Sequence, residues 1–395
     1  VLVVGAGPAG AELARLLALA GVDVVLVDRL SNLRQAAFSS AALPLDALAR
    51  YGLPSQVVAA RWSGWQLVGP GDQRRHWRAA QPLGAVLDFG ALRQWLADQA
   101  IGWGARLQLG VTALGWTPEG EGARTWVRDG AGVRREIRSR WVVDASGEAR
   151  ALIGDPQPPE DPLVAGLGVE WLLQVGPEVS AAWADRLSFF LGSRWVQQGY
   201  GWVFPMAPGQ LKVGVCRLHD PRRPQPPLGQ ELQALLQRSG LEGAVALDRH
   251  GGRIRSTLRR REAHRQGPLI GLGDAVSTAN LLGGEGIRHA LASARVLAPL
   301  LQQALAGTGS TKAAADALDA YPALLRRELG WRWGLSGRLA QRTWLGLAGE
   351  RGDRRLERLL QGLETTKAED LSALLFHYRF ERYGLKALPY LLGWR

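Results

Sequence analysis

The period of apolar and polar positions changes along the chain, and the changes mark its elements. Val1–Val4 is an unbroken apolar run, the pattern of a strand buried on both faces. The period then lengthens: Leu13, Leu16, Leu17 and Ala20 share one side of a helix that stops at Gly21. Val24–Val27 is a second apolar run, ending in Asp28. The spacing predicts a short helix over 46–51 and a longer one over 88–100, with Leu92, Trp95, Leu96 and Gln99 along one side. Between them, 61–78 sets Trp62, Trp65 and Trp77 among polar residues and reads as a hairpin of another sheet. Ala105–Gly110 is the next short strand. Thr112–Trp116, Arg124–Arg128 and Arg134–Val143, split by Gly-rich turns, read as a β-meander whose last run closes on Asp144-Ala145-Ser146-Gly147. Asp155–Asp161 is a Pro-rich joint.

Strand-like alternation resumes over Val164–Leu173, Leu187–Leu191, Gly201–Pro205 and Leu211–Leu218, and a helix follows over 229–239. Pro268–Ile270 is again a strand-like run, turning through Gly273-Asp274. Asn280–Gly286 opens a helix that buries Ile287, Ala290, Leu291, Ala294, Leu297 and Ala298. Everything after Gly307 reads as helix, rich in Arg and Trp (Trp331, Trp333, Trp344, Trp394). No internal repeat is visible.

The first turn carries candidate chemistry. Gly5-Ala6-Gly7-Pro8-Ala9-Gly10 has G-x-G-x-x-G spacing, with a strand before it and a helix after it. The first Gly permits the tight turn, the second lets backbone N–H groups approach a pyrophosphate, and the third lets helix pack on strand. The helix N-terminus faces the phosphates with its partial positive charge. Asp28 lies eighteen residues beyond Gly10, at the end of the second strand, where a carboxylate accepts from an adenosine ribose hydroxyl. Arg29 stands beside it. This set reads as a dinucleotide site and leaves FAD and NAD(P) both open.

The fold class that follows is α/β. We expect a discontinuous Rossmann-like domain with a β-meander (1–60, 86–154 and 262–306), a mainly antiparallel β substrate domain (61–85 and 155–261) and a helical C-terminal region (307–395).

Composition narrows the function. The 395 residues carry a net charge of +12, and only four of the 48 basic residues are Lys. Arg-favouring codon usage explains that bias; attraction to an anionic surface or substrate is the functional alternative. No nucleic-acid module accompanies the charge, so no nucleic acid is expected as a partner. A single Cys, Cys216, excludes an intrachain disulfide and Cys-rich metal or iron–sulfur sites, and the six His lack metal-ligand spacing, so no metal is expected. No run of eighteen apolar residues is present, so no membrane-spanning helix is expected. The chain opens inside a strand without Met, so a few residues are expected before Val1.

Three separated motifs agree: Gly5–Gly10 with Asp28, Asp144–Gly147, and Gly273-Asp274 followed by Gly283–Ile287. As a set they resemble FAD-dependent oxidoreductases built like aromatic hydroxylases, and within that superfamily the geranylgeranyl reductase family. The likeness covers roughly residues 1 to 300; the tail is similar only in being helical. The resemblance implies FAD, with Asp274 on the flavin's ribityl chain and Gly283, Gly284, Gly286 and Ile287 by its pyrimidine ring. Independent physics supports the last point, because unpaired N–H groups at a helix N-terminus stabilise the negative charge of a reduced flavin. Arg93 resembles the family's Arg near the FAD phosphates or ribose. Tyr200-Gly201-Trp202-Val203-Phe204-Pro205 is similar to the Y-x-W-x-F-P pattern of prenyl reductases, and alternation places Tyr200, Trp202 and Phe204 on one strand face. That face suits an apolar, elongated substrate, or equally an aromatic core stripe. Two features depart from the family. Cys216 replaces the second Gly of a following G-x-G, and Phe38–Ala42 (FSSAA) stands where many prenyl reductases have Cys-Gly-Gly.

The expected activity is FAD-dependent reduction of carbon–carbon double bonds in an isoprenoid or other apolar, lipid-like substrate. The alternatives are an FAD monooxygenase on an apolar or aromatic substrate, a redox-neutral carotenoid cyclase, and a flavoprotein that only binds or passes electrons. A halogenase of the known kind needs an early Lys, and the first Lys is Lys212. No second G-x-G-x-x-G is present for a nicotinamide, so the electron donor is NAD(P)H visiting transiently or a ferredoxin-type protein. The sequence names no catalytic acid. The expected location is the cytoplasm, with peripheral contact to a membrane as an extension of the lipid reading.

Overall fold

A computed structural model describes residues 1–35, 39–156, 161–306 and 316–381. Phe38, the middle of the Pro-rich joint and Trp394 lie outside the described residues.

The first apolar runs form the centre of a six-stranded sheet. Its order is Arg265–Gln266, Leu269–Gly271, Val142–Asp144, Leu2–Val4, Val25–Asp28 and Arg106–Leu109. All neighbours are parallel except the first pair, which is an antiparallel hairpin. The central strand is apolar throughout because both its faces are covered. Helix Pro8–Leu19 covers one side, burying Leu13 and Leu17, and packs between Phe89–Gly102 and Ile287–Ala306. The long helix buries all six positions that the sequence pattern marked.

The run from Arg134 to Val143 is not one strand. Arg134–Ser139 ends the three-stranded meander, and Val142–Asp144 joins the parallel sheet. The chain switches sheets at Arg140-Trp141, where burial rises from the exposed meander edge to the core.

A seven-stranded sheet forms the other half: Val245–Thr257, Leu163–Gln174, Gln210–Leu218, Gly199–Pro205, Arg186–Leu191, Gly64–Val68 and Arg74–Arg78, in that order. Only Arg186–Leu191 with Gly64–Val68 is parallel. The expected Trp hairpin is its far edge, with Trp65 opposite Trp77. The thirteen-residue edge strand Val245–Thr257 was not anticipated; one flank is open to solvent, so its polar and glycine residues carry no apolar alternation. A small sheet of Ala42–Pro44, Gly84–Leu87 and Val58–Trp62 bridges the two halves. The tail supplies helices Tyr321–Gly346, Glu350–Leu363 and Ala368–His377. Their leucines pack on the seven-stranded sheet, joining Trp62, Trp65 and Trp202 in one core cluster. Among the described residues no helix is long and apolar enough to cross a membrane.

Candidate functional site

The first turn is held by backbone contacts that leave no room for side chains. Gly5 has φ +108°, and a Cβ there would stand 2.3 Å from the Ala145 carbonyl oxygen. A Cβ on Gly10 would stand 1.9 Å from the Gly5 carbonyl oxygen. Gly7 differs: nothing lies within 4 Å of its missing Cβ, so the turn is open on the side a phosphate would occupy. Asp28 takes the Ala6 N–H on one carboxylate oxygen (2.7 Å) and the Leu30 N–H on the other (2.8 Å). Each oxygen keeps a lone pair for a further donor. Arg29 is exposed.

Arg93 sits on helix Phe89–Gly102, whose N-terminus is capped by Asp88 accepting from the Ala91 N–H at 2.9 Å. Its guanidinium is buried, and Nε and Nη2 have no partner. Burial lowers its pKa, while the nearby Asp28 charge opposes the shift. A buried cation with two free donors beside Asp28 is incomplete until an acceptor arrives. With the open face at Gly7, this observation shows that the residues fit a dinucleotide.

Asp144 plays another part. Its carboxylate accepts from the Ser146 N–H and hydroxyl and from the Leu152 and Ile153 N–H groups, at 2.6–3.0 Å. It ties its own turn together. Asp274 is half-buried, its desolvation raises its pKa, and it accepts from the Thr278 hydroxyl at 2.8 Å. Gly273 has φ +63° and meets Ala9, so this second turn packs on the first helix.

Two cavities open beyond these turns. One, of about 300 Å³, runs from Pro8, Phe89 and Asp274 to Cys216 and the glycines at 166, 168 and 252. The other, of about 450 Å³, is lined mainly by aromatic and leucine side chains. They share a wall of Ser39, Ser40, Tyr200, Trp202, Gly283, Gly284, Gly286, Ile287 and Trp344. The register of the large sheet explains the division. Tyr200, Cys216, Gly168 and Gly252 stand in one row across four strands, so the sheet face passes from bulky side chains to bare backbone at Tyr200–Cys216.

Tyr200, Trp202 and Phe204 do share a face and all line the larger cavity; adjacent ring centroids lie 5.9 and 6.3 Å apart. Trp202 lies over Gly214, where a Cβ would fall 2.2 Å from the indole, and its Nε1 donates to Glu170 at 3.1 Å. Glu170 is fully buried and also meets His250 Nε2 at 3.4 Å. Burial pushes the Tyr200 hydroxyl well above its ordinary pKa and the Cys216 thiol up to about 12, so both stay protonated.

Several residues here were not legible in the sequence. Lys212 is buried, which lowers its pKa, and its Nζ donates to the Ser39 carbonyl at 2.6 Å. It holds the Ser39-Ser40 segment at the shared wall; a lone Lys inside an apolar strand was the available signal. Glu285, inside the glycine turn, accepts from Arg288 and from the Tyr378 hydroxyl (2.9 Å). Burial opposes its charge, yet the Arg288 charge and these hydrogen bonds hold its pKa below the usual value. Arg288 also donates to the Phe376 carbonyl, so the turn is pinned to the last tail helix. Trp65, Phe189 and tail residues Leu356, Leu360, Leu363 and Leu371 complete the larger cavity. Among the described residues no cluster of His, Cys, Asp or Glu could hold a metal.

Comparison with known proteins agrees with this geometry. The FAD binding domain family matches residues 1–332. A digeranylgeranylglycerophospholipid reductase of Haloferax volcanii is 27% identical, over 94% of this chain and 91% of that protein. A menaquinone reductase of Mycolicibacterium smegmatis is also 27% identical, over 86% and 83%. A geranylgeranyl bacteriochlorophyll reductase-like structure from Thermoplasma acidophilum shares the fold, with TM-score 0.77 and 18% identity over 98% of each chain. The chain therefore belongs to the FAD binding domain family, as an FAD-dependent oxidoreductase that resembles geranylgeranyl reductases.

Proposed function

We propose that this enzyme reduces carbon–carbon double bonds in an isoprenoid or similarly apolar, lipid-like chain. The observation that carries the reading is the shared wall. An apolar cavity of about 450 Å³ abuts the cavity that leads to Asp274 and Pro8, with Tyr200, Trp202 and the 283–287 turn between them. That volume lies in the range of pockets that bury a ligand, roughly 300–1,000 Å³. The relatives' names point to the same chemistry.

On this reading Gly5, Gly7, Pro8, Ala9, Gly10 and Asp28 hold the adenosine and pyrophosphate part of FAD, and Arg93 supplies its two free donors there. Asp274 meets the flavin's ribityl chain, and the turn at Gly283, Gly284, Gly286 and Ile287 lies by its pyrimidine ring. When bound, the flavin supplies the hydride. The chain does the rest. Trp65, Phe189 and the tail leucines exclude water from the substrate chain. Tyr200 and Cys216 remain neutral and add no negative charge to the wall. Helix Ile287–Ala306 directs its first N–H groups towards the shared wall, where they stabilise negative charge. The donor of reducing equivalents is a nicotinamide or a ferredoxin-type protein. Peripheral contact with a membrane extends the reading, consistent with the exposed Trp331 on the tail.

The test is anaerobic. The holo-protein is reduced with dithionite and mixed with a geranylgeranyl compound. Reoxidation without oxygen, giving a product two hydrogens heavier, is the expected result. A flavin that stays reduced until oxygen is admitted, with oxygen then appearing in the product, would instead establish a monooxygenase.

A further inference from the structure

Behind the shared wall runs a line of polar contacts that the reaction above leaves unused. Trp202 lines both cavities. Across the seven-stranded sheet Trp202 stands opposite Gly214, Gly214 opposite Glu170, and Glu170 opposite His250. Trp202 and Glu170 are therefore two strands apart, about 10 Å between backbones. The indole crosses that gap because Gly214 has no side chain: a Cβ there would stand 2.2 Å from the ring. On the far side its Nε1 donates to Glu170 Oε2 at 3.1 Å.

Glu170 is fully buried, and a carboxylate so placed needs partners. Its Oε1 meets His250 Nε2 at 3.4 Å, and His250 Nδ1 meets Asp248 Oδ2 at 3.1 Å. Exposure grows along this line: the side chains of Glu170, His250 and Asp248 are 0%, 14% and 52% exposed. Burial disfavours charge on His250, yet the hydrogen bond and charge of Glu170, with the Asp248 charge, raise its pKa above the usual value. The strand that carries His250 also packs against Gly147–Ala149 and Gly273–Val276. The carboxylates there are engaged elsewhere, Glu148 by Arg253 and Arg255, and Asp274 by Thr278. Lys212 adds positive charge near Glu170, but its ammonium bonds the Ser39 and Leu87 carbonyls.

We infer, on the apolar-chain reading above, that Glu170 is a positioning residue for the substrate: backed by His250, its carboxylate fixes the Trp202 indole as the plate against which the chain lies at the shared wall. The arrangement has a pH range. While His250 carries its proton, the buried carboxylate has a cation beside it. As pH rises through the raised pKa of His250, that proton leaves, and Glu170 faces a neutral ring and a neutral indole. A buried charge that loses its cation admits water or takes up a proton, and either weakens the charge-assisted bond to the indole. The wall is thus firm at low pH and loosens as pH rises.

The test is calorimetric titration of oxidised holo-protein with phytanol, a saturated C20 alcohol, from about pH 6 to about pH 9. Affinity is expected to fall about tenfold over that range, the scale of one hydrogen bond to a charged group. Glu170→Gln keeps the shape and an acceptor but not the charge. It should bind about tenfold more weakly at the low end and show no fall. Asp248→Asn, at the exposed end of the line, removes a charge that raises the His250 pKa and should move the midpoint of the fall to lower pH. A merely structural Glu170 would lower thermal stability in E170Q while affinity and its pH profile stay those of the native protein, and that result overturns the inference. So does native affinity that is equal at both ends of the range, or a midpoint that D248N leaves in place. If E170Q does not fold, the D248N midpoint decides. Failure of phytanol to bind the native protein at any pH overturns the apolar-chain reading, and this inference with it.

Discussion

The two cavities meet at one wall but are built from opposite materials. The smaller is shaped largely by absent side chains: the glycines at 166, 168 and 252 on the sheet and those at 283, 284 and 286 in the turn, with Pro8 of the first turn at its edge. The larger is shaped by the bulkiest ones, with Trp65, Phe189, Tyr200, Trp202 and Phe204 on one side and tail leucines on the other. A dinucleotide brings its own hydrogen-bonding groups and needs backbone brought close. An apolar chain needs surface to displace water from. The turn that brings backbone N–H groups to a pyrophosphate is complete within thirty residues of sequence, whereas the apolar cavity is made only by joining strands and helices hundreds of residues apart.

The largest effect that could break this contrast is at Gly10. Gly10→Val places a methyl-bearing carbon on the Gly5 carbonyl oxygen, and we expect no flavin in the purified protein. Normal flavin content would show that the turn tolerates side chains. On the other side, Leu360→Ala removes a buried tail leucine and should cost about 2–5 kcal/mol in urea unfolding, while flavin is retained. Loss of flavin with little loss of stability would contradict the division.

Behind the glycine turn lies a buried titratable group, His289. Burial pushes the His289 ring from 6.5 down to about 4, and its Nδ1 meets the Glu285 carbonyl at 3.1 Å. The unfolded chain therefore takes up a proton near pH 6.5 that the folded protein refuses until about pH 4. Stability from this group is complete above pH 6.5, falls as pH drops towards 4, and then levels. The fall is about 3 kcal/mol at about 1.4 kcal/mol per unit. His289→Gln should flatten that part of the pH–stability curve, and an unchanged slope would count against a neutral buried His289.

Arg93 separates binding from folding. Arg93→Met should weaken FAD binding by about ten- to a hundredfold, since hydrogen bonds to charged groups contribute about 1.5–3 kcal/mol. It should leave the apoprotein no less stable, because two of the three nitrogens it removes, Nε and Nη2, have no partner there. A destabilised apoprotein would mean that Arg93 is structural. The smallest stability effect belongs to Gly7→Ala. With open space at that Cβ, the change should stay within about 0.5 kcal/mol while flavin affinity falls.

The difference in materials also decided what the sequence disclosed. Gly5–Gly10 and Asp28 were readable because spacing within one βαβ unit fixes their geometry. Tyr200, Trp202 and Phe204 were readable as one face because a strand alternates strictly. Trp65 and Phe189 were not assigned to that face, since nothing local says that Gly64–Val68 pairs in parallel with Arg186–Leu191. The sequence of the tail reads only as helix, and the fold alone brings Leu356, Leu360 and Leu363 into one cluster with Trp65 and Trp202. Asp144 stood within a cofactor-like motif, but its carboxylate is consumed by four donors of its own turn. The partners of Lys212 and Glu170 are not legible in the sequence, because a charge inside a strand shows them only in three dimensions.

The central claim is that the apolar cavity ends at the flavin. The most direct measurement titrates oxidised holo-protein with a fully saturated C20 analogue, which can bind but cannot be reduced, while recording the flavin's visible absorption and the tryptophan fluorescence together. A saturable shift of the flavin band, with the same midpoint as quenching from the cavity's indoles, is the predicted result. Quenching that saturates while the flavin band stays fixed would mean that the chain binds away from the cofactor, and the shared wall would not be where the chemistry occurs.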